Sequence, residues 1–300
     1  MNNLPQELLK EILEYTGDFI SIKKTKALSK NINEKLKNVL FNVTLVIHKN
    51  YGDIIKPLEC AKIVTYGAFL KIEELKYIKN VKELAIICSK HLTDEHLKYF
   101  SNLEKLHIDS HSNFLVTDKG FHYLKNLKEL SLNNLSELNI SDEAFKYFKN
   151  LEYLNIKNYH QKKITSKAFS YMPNLICFYM LHCSQGTITD GSFKNMKNLL
   201  YLGIFYCSKK IITNEAFKYL SNLEELYLYS CFELNISDDA FSNMPKLKKL
   251  IIVYCYLELV TNNAFRNLKS LEYLNITRSY GLEKKEICKY YKNYIIDDDE

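Results

Sequence analysis

Leu223-Glu224-Glu225-Leu226-Tyr227-Leu228 decides the fold, because the chain repeats this stretch every 24 residues. Leu103, Leu127, Leu151, Leu175, Leu199, Leu247 and Leu271 open other copies, and Val81 opens an earlier one 22 residues before Leu103. Each copy reads L-x-x-L-x-[LI], except that Phe178 and Met180 replace the later apolar residues after Leu175. The stretch ends in apolar–polar alternation, the period of a strand with one face buried. A single short strand cannot hide that face, whereas copies stacked side by side build a continuous core.

Other positions recur in the same phase. Thr117, Ser141, Thr165, Thr189, Thr213, Ser237 and Thr261 form a hydroxyl column, placed to cap the first turn of a helix. Phe121, Phe145, Phe169, Phe193, Phe217, Phe241 and Phe265 follow in segments such as residues 238–243, a short helix with its Phe turned inward. Asn102, Asn126, Asn150, Asn174, Asn198 and Asn222 stand just before the strand leucine. Asn tolerates the left-handed conformation, so this column reads as the turn that ends each helix and re-enters a strand. Cys183, Cys207, Cys231 and Cys255 form a fourth column. It can be read as a metal or redox ladder, or as a small buried residue where the chain leaves the strand. The second reading is preferred because free Cys is among the most buried residue types.

These units resemble leucine-rich repeats. The form C-x(4)-I-[TS]-[DN]-x-A-F-x-x-[LM]-x-x-L-x-x-L, seen at residues 207–226 and 231–250, is similar to the cysteine-containing class typical of F-box/leucine-rich-repeat proteins. Met172-Pro173-Asn174 and Met244-Pro245-Lys246 stand where that class has a second Cys. The resemblance implies an α/β leucine-rich-repeat solenoid, with a parallel sheet on the concave face and short helices on the convex face. Regular repeats span residues 81–278. Residues 40–80 read as irregular entry repeats, with degenerate strands at Leu40-x-x-Val43-x-Leu45 and Leu58-x-x-Ala61-x-Ile63. Residues 279–300 read as a helical cap followed by the acidic tail Asp297-Asp298-Asp299-Glu300.

Residues 1–39 differ from the rest. Leu4 to Tyr15 reads as a helix with Pro5 in its first turn, where a missing N–H costs nothing. Leu8, Leu9, Ile12 and Leu13 make one apolar face. The segment resembles an F-box: Leu4, Pro5, Glu7, Leu8, Ile12 and Leu13 match its start, and Ser29, Lys30 and Ile32 its end. Gly17-Asp18 replaces the usual Leu, and the late Trp is missing. The resemblance implies that Leu4, Pro5, Leu8, Ile12 and Leu13 contact a Skp-type adaptor of a cullin ligase. The alternative is a plain N-terminal cap on the repeats.

Composition excludes several other functions. With eight Gly there is little material for a phosphate loop, and no P-loop, H-E-x-x-H or G-x-S-x-G occurs, so no enzyme and no cofactor are expected. The net charge of +6 is spread without a dense basic stripe, so nucleic acid is not expected as a partner. His107, Asp109 and His111 alternate along one strand, but position 111 falls in the inward Cys column, so no metal site is expected. Cys177 is a face residue with no base placed to activate it. No signal peptide and no run of ~20 apolar residues are present, which fits a cytoplasmic or nuclear protein outside membranes. Abundant Lys, Asn, Ile and Tyr with no Trp read as an AT-rich genome, such as a protist's or a large DNA virus's.

Residues two, four and six after the first Leu point to the concave side. Early units offer Lys105, His107, Asp109, Glu129, Ser131 and Asn133 there. Later units offer Tyr179 and Leu181; Tyr201 and Phe205; Glu225, Tyr227 and Tyr229; Lys249, Ile251 and Val253; and Tyr273. A contiguous apolar and aromatic patch is expected from these residues, and such patches mark interaction sites. AT-rich codon use is the competing account of the tyrosines, but it does not reach Leu181, Phe205, Ile251 and Val253. The expected role is target recognition in an SCF-type ubiquitin ligase. The alternatives are an adaptor or scaffold without a ligase link, and a viral effector acting on the host ubiquitin system.

Overall fold

Leu226 and Leu228 are fully buried, while Glu225, Tyr227 and Tyr229 beside them are half-exposed. The L-x-x-L-x-L stretch is therefore a strand with one dry face. The computed structural model describes residues 19–21, 41–48, 60–66, 72–75, 81–87, 92–109, 115–134, 139–158, 162–183, 187–207, 212–232, 234–280 and 294–295. The chain divides into two compact units, Met1–Ile140 and Ser141–Glu300. Each is a stack of repeats whose strands pair in parallel, in chain order.

In the first unit, β1 (Phe19–Ser21), β2 (Phe41–His48), β3 (Cys60–Tyr66), β4 (Glu83–Ile87), β5 (Lys105–Asp109) and β6 (Glu129–Asn133) pair successively. Helical turns α1 (Ile72–Leu75), α2 (Asp94–Leu97) and α3 (Asp118–Phe121) lie between strands. Strand β1 follows the Leu4 to Tyr15 segment read as a helix and pairs with β2. Its physical reason is the open edge of β2, whose N–H and C=O groups it satisfies. Leu4, Pro5, Leu8, Ile12 and Leu13 lie outside the described residues.

The second unit contains β7 (Tyr153–Lys157), β8 (Cys177–Leu181), β9 (Tyr201–Phe205), β10 (Glu225–Tyr229), β11 (Lys249–Val253), β12 (Tyr273–Asn275) and β13 (Tyr294–Ile295). Between strands stand α4 (Asp142–Phe145), α5 (Ser166–Phe169), a 3-10 turn at Asp190–Asn195, α6 (Asn214–Phe217), α7 (Asp238–Ser242) and α8 (Asn263–Arg266). Strand β13 corrects the expected C-terminal helix at residues 294–295, which continue the sheet along the free edge of β12. Among the described residues no helix is long and apolar enough to cross a membrane.

Register explains the columns. Leu202, Leu226 and Leu250 face one another across β9, β10 and β11, so the offset between strands equals the repeat period. A column in the sequence is thus a row of touching neighbours. The Phe column is buried throughout, and each such side chain contributes ~1.5–3 kcal/mol by leaving water. Phe178 fits where a Leu is usual because it packs between Phe169 and Phe193, at 5.2 and 6.3 Å between ring centroids.

The hydroxyl column caps the helical turns: Thr213 Oγ1 accepts the Glu215 N–H at 3.2 Å, and Thr165 accepts that of Lys167. These groups also reach the preceding repeat. Thr213 donates its N–H and hydroxyl to the two carboxylate oxygens of Asp190, at 2.8 and 2.7 Å. Thr117 does so to Asp94, Thr165 to Asp142 and Thr261 to Asp238. In these four places neighbouring repeats are tied by a charge-assisted pair of bonds, while the neutral side chain of Asn214 makes the same pair with Ser237.

The Asn column does not carry the left-handed turn. Asn126, Asn174, Asn198 and Asn222 instead donate their side-chain amides to a carbonyl one repeat earlier. The left-handed residues follow the strands: Asn134, Asn158, His182, Tyr206, Ser230, Tyr254 and Arg278, with φ of 51–58°. That conformation turns the N–H along the sheet. His182 N bonds Phe205 O and Tyr206 N bonds Tyr229 O, at 3.0 and 2.8 Å. Bonds of this kind offset the ~1–2 kcal/mol that a side chain costs there.

The Cys column is buried. Cys231 Sγ donates to Ile204 O at 3.3 Å and Tyr229 O at 3.4 Å. Hydrogen bonding to Cys231, together with burial, pushes the Cys207 and Cys255 thiols up. Ser279 takes the same position in the last repeat, its hydroxyl 2.9 Å from Ile252 O. No three His, Cys, Asp or Glu side chains among the described residues come together as a metal site; His111 lies outside them.

Candidate partner-binding face

The strand side chains that alternate with the buried leucines project from the face opposite the core. In the second unit the row at the strand beginnings reads Tyr153, Cys177, Tyr201, Glu225, Lys249 and Tyr273. The middle row reads Asn155, Tyr179, Gly203, Tyr227, Ile251 and Asn275, and the next begins Lys157, Leu181, Phe205, Tyr229 and Val253.

Tyr179 is the hub of this face. Its ring centroid lies 6.0 Å from that of Tyr153, 6.1 Å from Phe205 and 6.4 Å from Tyr227. Tyr179, Leu181, Tyr201, Phe205, Tyr227, Tyr229, Ile251 and Tyr273 are half-exposed on the one face. Val253 is the exception at 8% exposure. It stands in register beside Tyr229, and so buried a side chain supports the face rather than forming it.

Gly203 is the residue that sequence reasoning missed. A Cβ there would sit 2.3 Å from Tyr179 Cδ1 and 2.4 Å from Phe205 Cε2. Both rings therefore lie over the glycine and fill the place of its absent side chain. The signal was available, as Gly203 interrupts a row that otherwise carries side chains.

The patch also reaches both ends of the strands. His182 and Tyr206 stack at 4.5 Å and 14°. Tyr206–Tyr229 and Tyr229–Tyr254 continue the row at 5.7 and 5.6 Å, and the Arg278 guanidinium lies 5.4 Å over Tyr254. Phe232, Tyr256 and Tyr280, 24 residues apart, are 55, 44 and 59% exposed just beyond the strands. At the opposite end, Ile176 and Leu200 are half-buried in a column that carries Glu152, Glu224, Lys248 and Glu272 elsewhere in this unit.

The polar groups on the face are subdued. Burial pushes the Cys177 thiol up to about 11, a hydrogen bond with Tyr179 pulling the other way. The thiol stays protonated at neutral pH. Burial also raises the Tyr179 and Tyr227 hydroxyls, and Tyr227 donates to the Glu225 carboxylate. The Lys249 ammonium sits 5.3 Å over the Tyr227 ring and 5.4 Å over that of Tyr273. The first unit's face is different: Lys105 pairs with Glu129 at 2.8 Å and Glu83 at 3.9 Å.

The chain is similar to known repeat proteins. The model of the BspA type leucine rich repeat region matches in six copies, over residues 50–176, 90–224 and 186–290. No curated protein sequence matches. Among solved structures, TLR13 in its ssRNA13 complex is 22% identical with TM-score 0.65, covering 85% of this chain and 39% of that one. Toll in the Drosophila Toll–Spatzle complex is 14% identical with TM-score 0.51, covering 86% and 43%. An internalin (inlF) from Listeria monocytogenes is 15% identical with TM-score 0.58, covering 88% and 82%. The chain thus spans less than half of the first two chains, and at these identities the likeness is one of fold. The repeat match extends over most of the sequence, and the chain belongs to the BspA-type leucine-rich repeat family.

Proposed function

We propose that the chain is a binding module without catalytic activity, and that the outward sheet face of β8 to β12 holds a protein partner. The observation that supports this is the half-exposed cluster of Tyr179, Tyr201, Phe205, Tyr227 and Tyr229. Aromatic anchors on a face with few charges suit protein recognition. Toll is seen with Spatzle and TLR13 with ssRNA13; so apolar a face favours the protein ligand. The test is photo-crosslinking with the full chain carrying a benzophenone amino acid at Tyr201 or, as control, at the helix-side Lys218. Crosslinks at Tyr201 alone, lost on Tyr227→Ala/Tyr229→Ala, are expected. Equal crosslinking at both sites removes the reading.

A narrower reading is target recognition within an SCF-type ligase in the cytoplasm or nucleus, including use of a host's ligase if the chain is viral. Its support is the Leu4-Pro5-Gln6-Glu7-Leu8-Leu9 motif with Ile12 and Leu13. The full chain should then co-purify with a Skp-type adaptor and lose it on Leu8→Asp/Ile12→Asp. Without that co-purification, an adaptor or scaffold role remains.

A further inference from the structure

Lys249 differs from its counterpart in the first unit. Lys105 occupies the same strand position and is bracketed by Glu83 and Glu129, each in ion-pair range. Lys249 is bracketed by Glu225 and Tyr273. The Glu225 carboxylate instead receives the Tyr227 hydroxyl, and the ammonium is held between the Tyr227 and Tyr273 rings. Among the described residues Lys249 has no carboxylate partner. A cation placed over two ring faces is oriented without being neutralised. At the other border of the patch β7 ends on Lys157, which also has no carboxylate partner among the described residues.

Resting on the protein-binding reading above, we infer that Lys249 is the anion anchor of this face. The occupant is a protein segment that brings a carboxylate to Lys249 and lays apolar or aromatic side chains over Tyr179, Tyr201 and Phe205. Lys157 receives a second carboxylate. Lys249 and Lys157 are four strands apart and lie at opposite strand ends, roughly 20–25 Å, which about seven extended residues span. The charge pattern favours such a segment over a nucleic acid strand. Two isolated lysines flanking an apolar patch match two carboxylates, whereas a phosphate at every nucleotide calls for a continuous basic track.

The test pans a phage library of random nonapeptides on the full chain, in parallel on Lys249→Glu, Lys249→Gln and Tyr201→Ala/Tyr227→Ala/Tyr229→Ala. Wild type should enrich peptides with acidic residues flanking an aromatic or aliphatic centre. Lys249→Glu should exchange the acidic residue at one end for a basic one. The best wild-type peptide should bind Lys249→Gln at least roughly tenfold more weakly. Peptides that lack acidic residues yet are lost from the triple variant leave the binding face standing and overturn the anchor. Peptides indifferent to the triple variant, or no enrichment, overturn the anchor too. So does an oligo-dT strand that binds wild type and not Lys249→Glu.

Discussion

Tyr179 and Tyr227 stand on strands separated by β9, about 9.5 Å apart at the backbone, yet their ring centroids are 6.4 Å apart. The residue between them in register is Gly203. A missing side chain in the middle strand lets the Tyr179 ring lie down across the gap, where Phe205 joins it. The central feature of the candidate face is thus made by an absence in the sequence.

This arrangement predicts a specific non-additivity. Gly203→Ala puts a methyl group where the Tyr179 and Phe205 rings now lie, and overpacking of this kind costs about 1–3 kcal/mol. In a Tyr179→Ala/Phe205→Ala background the obstruction is gone, and the same change should be neutral or slightly stabilising, since Gly is a poor strand residue. Urea unfolding of the four variants reads the coupling directly. Equal costs in both backgrounds would mean that the rings do not occupy the glycine's space.

A second prediction concerns the ties between repeats. Asp190 accepts both the N–H and the hydroxyl of Thr213, and removing it leaves two part-buried donors without their partner. Bonds to charged groups contribute about 1.5–3 kcal/mol each in net stability. Water reaches these part-buried donors once the carboxylate is gone, so Asp190→Ala should lower the unfolding free energy by less than the sum of the two, roughly 2–4 kcal/mol. Asp190→Asn should cost less, because the chain already uses Asn214 in this role toward Ser237. A loss below 0.5 kcal/mol in a urea titration would show that these bonds do not hold neighbouring repeats together.

The sequence shows most clearly whatever repeats with a single cause. The strand leucines, the buried Phe column and the capping hydroxyls each follow from one local requirement, and the structure has all three. The Asp column was also visible, one residue after the hydroxyls, but its partner is 23 residues away and no local rule pairs them. Intrinsic tolerance alone points to the Asn column for the left-handed turn. The sheet instead places that conformation after the strand, where the next strand's carbonyl takes the N–H, and forces it on His182, Tyr206 and Ser230. On the candidate face, alternation identified the outward residues. It could not show that Gly203 organises them or that Val253 is buried.

The Cys column leads to a third prediction. Ser279 replaces Cys with its hydroxyl on the equivalent carbonyl, so the position calls for a small side chain with a weak donor. Cys231→Ser should cost less than about 1.5 kcal/mol, the worth of one ordinary hydrogen bond. Cys231→Leu should cost about 1–3 kcal/mol or more by overpacking. The comparison is read from unfolding midpoints under reducing conditions. A Ser variant as damaging as the Leu variant would point to a need for sulfur itself.

His107 supplies the pH prediction. Burial among its strand neighbours lowers its pKa, with the Asp109 charge acting in the opposite direction. The folded state therefore favours the neutral ring. An unfolded chain protonates the same imidazole near pH 6.5. Above that value both states are neutral and the group adds no pH dependence. As pH falls below it, the unfolded chain takes up the proton first, so stability declines until the folded pKa is passed. The unfolding midpoint of the wild type should fall more steeply between pH 7.5 and 5.5 than that of His107→Gln. Using the difference between the two curves removes whatever the two proteins have in common. Parallel curves would show that His107 titrates alike in both states, and that its strand face is as wet as the unfolded chain.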